Sequence, residues 1–368
     1  MKGIFENECE VEYYPGSEIT PQRVKDADAL IVRTRTKCNA QLLEGSKVKV
    51  IASATIGTDH IDRAWCQSHN IALFNAPGCN SGGVLQYFLT ALFKCLSTRE
   101  LWQKFLNSAP DAGSAAAGAA ESAPFTVGVI GVGNVGSKVA AACEGLGFEV
   151  LRNDPPKERQ QTLAYNSGYL RIVDFKDYYS LDYLLENSDV VTLHVPLDET
   201  TRGMADASFF ARMKPGAIFI NSSRGEVVDE AALLANLHKL AAVVLDVWVG
   251  EPNINKELLQ SAFIATPHIA GYSAEGKIKG TQMAVEAIRR YMRDNGLTTG
   301  APAAAGTCTI PEEQPIPVDF RGKNIDEISQ MLERIFPIQE LSDALKSNPH
   351  TFEEMRNNYN YRHELEIL

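Results

Sequence analysis

The stretch Thr126-Val-Gly-Val-Ile-Gly131-Val-Gly133-Asn134-Val135-Gly136 constrains the fold of this chain more than any other segment. Phe125 to Ile130 is an apolar run of the kind that forms a buried parallel strand, and Ser137 to Leu146 carries apolar residues at helical spacing. Strand, glycine turn and helix in that order give G-x-G-x-x-G a mechanism. The first glycine allows the tight turn, the second lets a pyrophosphate approach the backbone, and the third lets helix and strand pack closely. The helix start adds unpaired N–H groups and the positive end of a dipole. Gly131, Gly133, Asn134, Val135 and Gly136 are therefore candidate dinucleotide contacts, the alternative being a glycine-rich turn that only packs tightly.

A second strand, Phe148 to Leu151, leads to Asp154. A carboxylate near that position bonds a ribose 2′-OH and repels a 2′-phosphate, which points to NAD as cofactor. Arg152, two residues earlier, would soften that choice, and a plain turn residue before Pro155-Pro156 is the alternative for Asp154.

At 368 residues the chain has room for two or three domains with cores of their own. A net charge of −11 disfavours nucleic acid or an anionic membrane as partner. Seven dispersed cysteines, with no C-x-x-C pair and no signal peptide, fit reduced thiols in the cytoplasm. No apolar run approaches a membrane span. No cluster of His, Cys or Asp has ligand spacing, so no metal is expected.

From about Val11 to Thr266 short apolar strands alternate with helical stretches, the pattern of parallel sheets covered by helices. Strand candidates are Ala29–Arg33, Val48–Ser53 and Ile71–Asn75 before the glycine motif. After it come Val190–Val195, Ala217–Asn221, Val243–Val247 and Phe263–Thr266. Helical stretches Gly82–Leu106 and Tyr272–Arg293 bracket the nucleotide half as crossovers. The expected division is a substrate domain over 1–100, a nucleotide domain over 101–270, a return helix over 271–294, a linker over 295–317 and a small third domain over 318–368. Ser108 to Ala123, almost all Ala, Gly, Ser and Pro, is an insertion with little to bury. Lys323 to Glu366 reads as three short helices broken at Phe336-Pro337. Ile325, Ile328, Met331, Leu332 and Ile335 recur at helical spacing there, so the tail needs a partner surface. Its own nucleotide domain is one candidate for that surface; the other, a second copy of the chain, is what the family resemblance given below implies.

Three polar residues fall at successive strand ends, where open α/β sheets bind ligands. Arg224, in Asn221-Ser-Ser-Arg224-Gly-Glu-Val-Val-Asp229, has the planar fork to clamp a carboxylate, unless it pairs with Glu226 or Asp229. Asp246 ends the next strand, and Glu251-Pro252 follows. His268, in Thr266-Pro267-His268-Ile269-Ala270-Gly271-Tyr272, is placed to exchange a proton with a hydroxyl, with Glu251 orienting the imidazole. Arg33, Arg35 and Lys37 form a basic cluster at another strand end, suited to an anionic substrate. Strand alternation would turn Thr34 away from Arg33 and Arg35. Thr55 with the N–H groups of Ile56 and Gly57 offers a carboxylate cradle, the alternative being an N-cap turn at Thr58 and Asp59. His194, at a strand end beside Pro196, is a further candidate for the nicotinamide wall.

With these motifs in this order, the chain resembles the D-isomer-specific 2-hydroxyacid dehydrogenases from about Val11 to Arg290. The matching segments are Gly131-x-Gly133-x-x-Gly136, Asn221-x-x-Arg224-Gly-x-x-Val-Asp229, Asp246-Val-Trp-x-x-Glu251-Pro and Pro267-His268-Ile-Ala-Gly. The resemblance implies an α/β fold in which a Rossmann-type NAD domain is inserted into a flavodoxin-like substrate domain. It implies His268 as acid/base, Glu251 as its partner and Arg224 as carboxylate anchor. Val195, Asp246 and Gly271 would join the glycine turn at the cofactor, with Arg33, Thr34, Thr55 and Tyr272 at the substrate.

A narrower resemblance rests on Arg33-Thr34-Arg35-Thr36-Lys37, Ala54-Thr55-Ile56-Gly57-Thr58-Asp59-His60-Ile61-Asp62, Asn75-Ala-Pro-Gly-Cys79-Asn80 and Asn153-Asp154-Pro155-Pro156. The tail signature Phe352-Glu-x-x-Arg356-x-Asn-Tyr359-x-x-Arg362 adds to it. It is to members that oxidise 4-phospho-D-erythronate to 2-oxo-3-hydroxy-4-phosphobutanoate and that carry a small C-terminal dimerisation domain. A small phosphorylated 2-hydroxy acid as substrate and a homodimer follow as expectations. The chain departs from the pattern by opening without the first strand, by a short loop before Leu245, by the insertion at Ser108 and by a tail that stops short. The rival readings are a dehydrogenase for phosphoglycerate or another 2-hydroxy acid, and a non-catalytic NAD-binding corepressor or redox sensor.

Overall fold

The computed structural model describes residues 5–6, 8–98, 125–166, 176–297 and 314–368. The insertion at 108–123, Lys2–Ile4 and most of the 295–317 linker lie outside the described residues. The fold is α/β with parallel sheets.

Three short strands, β1 (Ala29–Val32), β2 (Val50–Ser53) and β3 (Ala72–Phe74), pair in parallel in the order β1-β2-β3. The central β2 is buried on both faces, and its two-residue period sorts its side chains. Val50 and Ala52 meet Ala284, Val285 and Ile288 of helix Ala274–Asp294, while Ile51 packs among Val32, Leu43 and Cys66.

The larger sheet is built from β4 (Thr126–Ile130), β5 (Glu149–Asn153), β6 (Val190–Leu193), β7 (Ile218–Asn221), β8 (Ala242–Leu245) and β9 (Ile264–Ala265). All pairs are parallel, in the order β5-β4-β6-β7-β8-β9. Buried almost throughout, these strands need helices on both faces, which is why they read as continuous apolar runs. The order reverses at β4, so the crevice outside the ends of β4 and β6 is the topological switch point.

By its internal contacts the chain divides into two compact units. One comprises Met1–Gly82, Tyr272–Pro317 and His363–Glu366, the other Gly83–Gly271, Val318–Arg362 and Ile367–Leu368. This differs from the expected division, which put residues 83–100 with the substrate domain and made 318–368 a domain of its own. The reason lies in helix Ser81–Ser97. Tyr87, Phe88, Leu89, Leu92, Phe93 and Leu96 are at most 2% exposed, so the helix is apolar all round and needs cover on every side. The tail supplies it. Helix Ile325–Ile335 runs beside it, with Ser329 Oγ 3.0 Å from Ser97 Oγ and Glu333 3.6 Å from Lys94.

Two further tail helices, Ile338–Ser347 and Phe352–Asn357, follow the break at Phe336-Pro337. Ser342 accepts the Ala265 N–H at 2.9 Å, and Lys346 donates to the carbonyls of Ala262 and Phe263, closing the β9 edge. Leu345 and Phe352 sit in one core with Leu258 and Leu259. Of the five apolar tail residues expected to need another chain, Ile328 and Leu332 are buried within this one and Ile325, Met331 and Ile335 are half-buried. The tail's principal apolar surface is thus covered by its own nucleotide unit.

Phe352→Ala should lower stability by about 3–5 kcal/mol in urea denaturation, the cost of emptying an aromatic site in a packed core. An unchanged unfolding midpoint would show that the tail is not part of that core.

Candidate active site

The glycine turn follows β4, and its three glycines face different surroundings. Gly131 has φ +84°, and a Cβ there would lie 2.7 Å from the carbonyl oxygen of His194, at the end of β6. A Cβ on Gly136 would lie 1.9 Å from the Gly131 carbonyl oxygen. At Gly133 a Cβ would meet nothing within 4 Å. Two glycines are therefore required by close packing and the third leaves open space, which fits the approach of a pyrophosphate to helix Gly136–Gly145. Asn134 is exposed and Val135 half-buried at the helix start. Val195, half-buried, packs beside Gly131.

Asp154 follows β5 at the position expected of an acid toward the ribose. Its carboxylate accepts the Val132 N–H at 2.8 Å and caps helix Pro155–Asn166 through the Lys157 N–H at 3.0 Å. Both the turn role and a place beside the glycine loop are thus filled by one side chain. Arg152 is paired with Glu144 and is 8% exposed, which occupies the cation that opposed the choice of NAD. A cavity of about 260 Å³ beside the loop is lined by Val132, Ser137, Arg152, Lys157, Lys176 and Tyr178.

Of the three polar residues at the ends of β7, β8 and β9, Asp246 and His268 are in contact, and Arg224 follows the neighbouring strand β7. Arg224 is half-buried and donates to the Ser223 carbonyl at 2.7 Å, while Asn221 receives the Ser223 N–H and donates to the Arg224 carbonyl. Asp229 is spent on capping helix Glu230–Asn236. A Cβ on Gly225 would lie 2.2 Å from the Trp248 carbonyl oxygen, so glycine lets the Arg224 turn touch the backbone that leads to Glu251.

Asp246 is 1% exposed and accepts three hydrogen bonds: Thr266 Oγ1 at 2.7 Å, Ile269 N–H at 2.8 Å and Ala270 N–H at 2.9 Å. Tyr87 in turn donates to Thr266 Oγ1 at 2.9 Å. The Asp246 backbone carbonyl takes the His268 N–H at 2.7 Å. His268 itself sits at φ +58°, in the left-handed region that non-glycine residues seldom adopt, so these bonds hold a strained turn.

The His268 Nδ1 lies 2.8 Å and 3.1 Å from the two Glu251 carboxylate oxygens, and Glu251 also accepts the Trp248 N–H at 3.1 Å. Nδ1 is therefore the held nitrogen and Nε2 the one left for chemistry. Burial would raise the Glu251 carboxyl. The opposed charge and hydrogen bond of His268, with Arg356 and the Trp248 N–H, bring it below its ordinary value. Burial raises Asp246, against the pull of His268 and its donors. Burial pushes His194 down to about 3, so it is neutral at physiological pH and can line a site but not serve as a second base.

Arg33, Thr34, Thr55 and Tyr272, expected at the substrate, lie in the other unit, whereas Gly271, expected at the cofactor, ends the nucleotide unit just before Tyr272. β1 stops at Val32, and Arg33–Thr36 is a turn with Thr36 N–H bonded to the Arg33 carbonyl. The expected alternation of Arg33 and Arg35 against Thr34 therefore does not apply, because alternation requires extended backbone. Arg33 is half-buried and donates to the Lys277 carbonyl at 2.9 Å, while Thr34 is exposed. Thr55 bonds the Gly57 carbonyl at 3.1 Å and Ser53 Oγ at 2.7 Å. The N-cap of the helix that follows is Asp62, not Thr58 or Asp59. Tyr272 is half-buried ahead of helix Ala274–Asp294.

Sequence reasoning missed two tail residues. Arg362, 8% exposed, donates to the carbonyls of Gly83, Ile269 and Ala270, and its guanidinium lies 4.0 Å from the Phe336 ring centre. It holds the turn after His268 from the carbonyl side as Asp246 does from the N–H side. Arg356 lies 3.7 Å from Glu251. Both arginines stand in the tail signature, but only as marks of resemblance; an Arg set among apolar tail residues was the available signal.

Comparison with known proteins bears on this geometry. Residues 98–270 match the family model "D-isomer specific 2-hydroxyacid dehydrogenase, NAD binding domain". The chain is 42% identical over 364 residues to erythronate-4-phosphate dehydrogenase of Bacteroides fragilis, covering 96% of this chain and 91% of that one. It is 35% identical over 382 residues to the enzyme of the same name from Escherichia coli, covering 100% and 90%. Among solved structures, D-lactate dehydrogenase from Aquifex aeolicus with NAD and lactic acid is 28% identical with a TM-score of 0.58, over 78% of this chain and 91% of that one. A glycine turn built for a dinucleotide, an imidazole–carboxylate pair and an arginine at neighbouring strand ends, and likeness over nearly the full length lead to one conclusion: the chain belongs to the erythronate-4-phosphate dehydrogenase family, within the D-isomer-specific 2-hydroxyacid dehydrogenases.

Proposed function

We propose that the chain is an NAD-dependent dehydrogenase that oxidises 4-phospho-D-erythronate to 2-oxo-3-hydroxy-4-phosphobutanoate, a step of vitamin B6 biosynthesis, acting in the cytoplasm as a homodimer. The observation that carries the reading is the 2.8 Å contact of His268 Nδ1 with Glu251, at the strand ends of a sheet that also carries the glycine turn. The name borne by relatives that match over at least nine tenths of both chains supports the choice of substrate.

Bound NAD supplies the acceptor for the hydride that leaves the substrate C2. Gly131, Gly133, Asn134, Val135, Gly136, Asp154, Val195 and Gly271 would hold it, and Asp246 would support that site through the turn it fixes. His268 Nε2 takes the C2 hydroxyl proton, so that the C–O bond becomes a carbonyl as C–H and O–H both break. Glu251 keeps the ring aimed and balances the imidazolium. The Arg224 guanidinium binds the carboxylate and stabilises charge on the C2 oxygen. Arg33, Thr34, Thr55 and Tyr272 hold the remainder of the substrate, with the basic turn at Arg33 serving the phosphate.

NADH appearance with 4-phospho-D-erythronate, against 3-phosphoglycerate and other 2-hydroxy acids, is the direct test. Equal or better turnover of phosphoglycerate would replace the substrate assignment, and no turnover of any 2-hydroxy acid would favour a corepressor or redox sensor. Light scattering that finds one chain mass would remove the homodimer.

His268→Gln should lower kcat by about 10²–10⁴-fold while leaving NAD affinity nearly intact, since only the proton acceptor is lost. Near-normal turnover would take His268 out of the mechanism. Asp154→Ala should shift the ratio of kcat/KM values toward NADP and cost about 1 kcal/mol through the lost helix cap. Equal use of NAD and NADP by the unsubstituted chain would contradict the role given to Asp154.

A further inference from the structure

The tail reaches the chemistry. Arg356, in helix Phe352–Asn357, places its Nη1 3.7 Å from Glu251 Oε2, the same oxygen that lies 2.8 Å from His268 Nδ1. Both side chains are largely shielded from water, at 16% and 18% exposure, so their attraction is weakly screened. The guanidinium is itself held in place. Glu353 lies 3.2 Å from Nη1, and the Phe352 ring, centred 5.9 Å away, is rooted in the nucleotide core. Asp246 is a further charged group that interacts with the imidazole.

We propose that Arg356 is a positioning residue for the Glu251–His268 pair, sharing the carboxylate oxygen that holds the imidazole, so that the tail helps to set the pair's charge. Its catalytic arm rests on the oxidoreductase reading above; its structural arm does not. A lone carboxylate beside an imidazole favours the imidazolium, which cannot accept a proton. A guanidinium on the same carboxylate divides that charge and opposes positive charge on the ring.

The experiment compares Arg356→Gln and Arg356→Lys with the unsubstituted chain. In Arg356→Gln the pair keeps its proton to higher pH, so the acid limb of the kcat/KM profile for NAD reduction should move up by about one pH unit. Arg356→Lys should restore most of that shift. A guanidinium that merely packs the tail would change stability or kcat and leave the limb in place. A limb that stays or moves down in Arg356→Gln overturns the proposal.

The second arm needs no substrate. Arg356→Gln, Glu251→Gln and the double variant, unfolded in urea at neutral pH, should be non-additive. Because the folded Glu251 carboxyl lies below its ordinary value, its contribution is present above the unfolded value and is lost as pH falls through the folded one. The coupling should therefore vanish in acid. Additivity at neutral pH overturns the proposal whatever the chain oxidises, whereas absence of NADH with phosphoerythronate in the unsubstituted chain counts against the functional reading alone.

Discussion

A carboxylate removed from water survives only if its lone pairs are filled, and Asp246 is the clearest case in this chain. Three donors converge on it from Thr266, Ile269 and Ala270. Those donors are a hydroxyl two residues before His268 and the two backbone N–H groups just after it, so satisfying the buried charge and shaping the turn are one event. Tyr87 extends the network into helix Ser81–Ser97, where its hydroxyl feeds Thr266. Loss of any donor would leave charge exposed to an apolar interior, at a cost above that of an ordinary hydrogen bond. The chemistry at the end of β9 thus inherits its rigidity from the end of β8.

The carbonyl side of the same turn is a separate problem, solved by a different part of the chain. Arg362 delivers donors from the tail to Ile269 and Ala270. Backbone N–H groups facing an aspartate and backbone carbonyls facing an arginine leave little freedom between them. The tail therefore does more than cover apolar surface. It arrives with fixed cations at a place where the nucleotide unit presents carbonyls and a carboxylate, and the pairing sets the register of its docking.

Much of this was legible in the amino-acid order because the signals are local. Gly131, Gly133 and Gly136 act within one turn, and Arg224, Asp246 and His268 each follow a strand whose apolar run marks its end. Asp154 shows the limit of such signals, since the same carboxylate caps a helix and supports the glycine loop. At Arg33–Thr36 the strand pattern was carried too far, because β1 loses its partner after Val32 pairs with Ser53 and the chain turns. The membership of helix Ser81–Ser97 and of the tail depends on contacts more than 200 residues apart in sequence, such as Ser97 with Ser329. No local period encodes those. Gly225 was visible as a letter in a motif, but its reason, contact with the Trp248 backbone, exists only once β7 and β8 are adjacent.

The left-handed backbone at His268 separates what folding wants from what chemistry wants. A glycine or asparagine would occupy that φ with less strain, so substitutions that abolish proton transfer could leave the molecule as sturdy as before, or sturdier. Screens for solubility or heat resistance would then enrich inactive molecules at this position. Only a screen that scores turnover would hold the histidine in place.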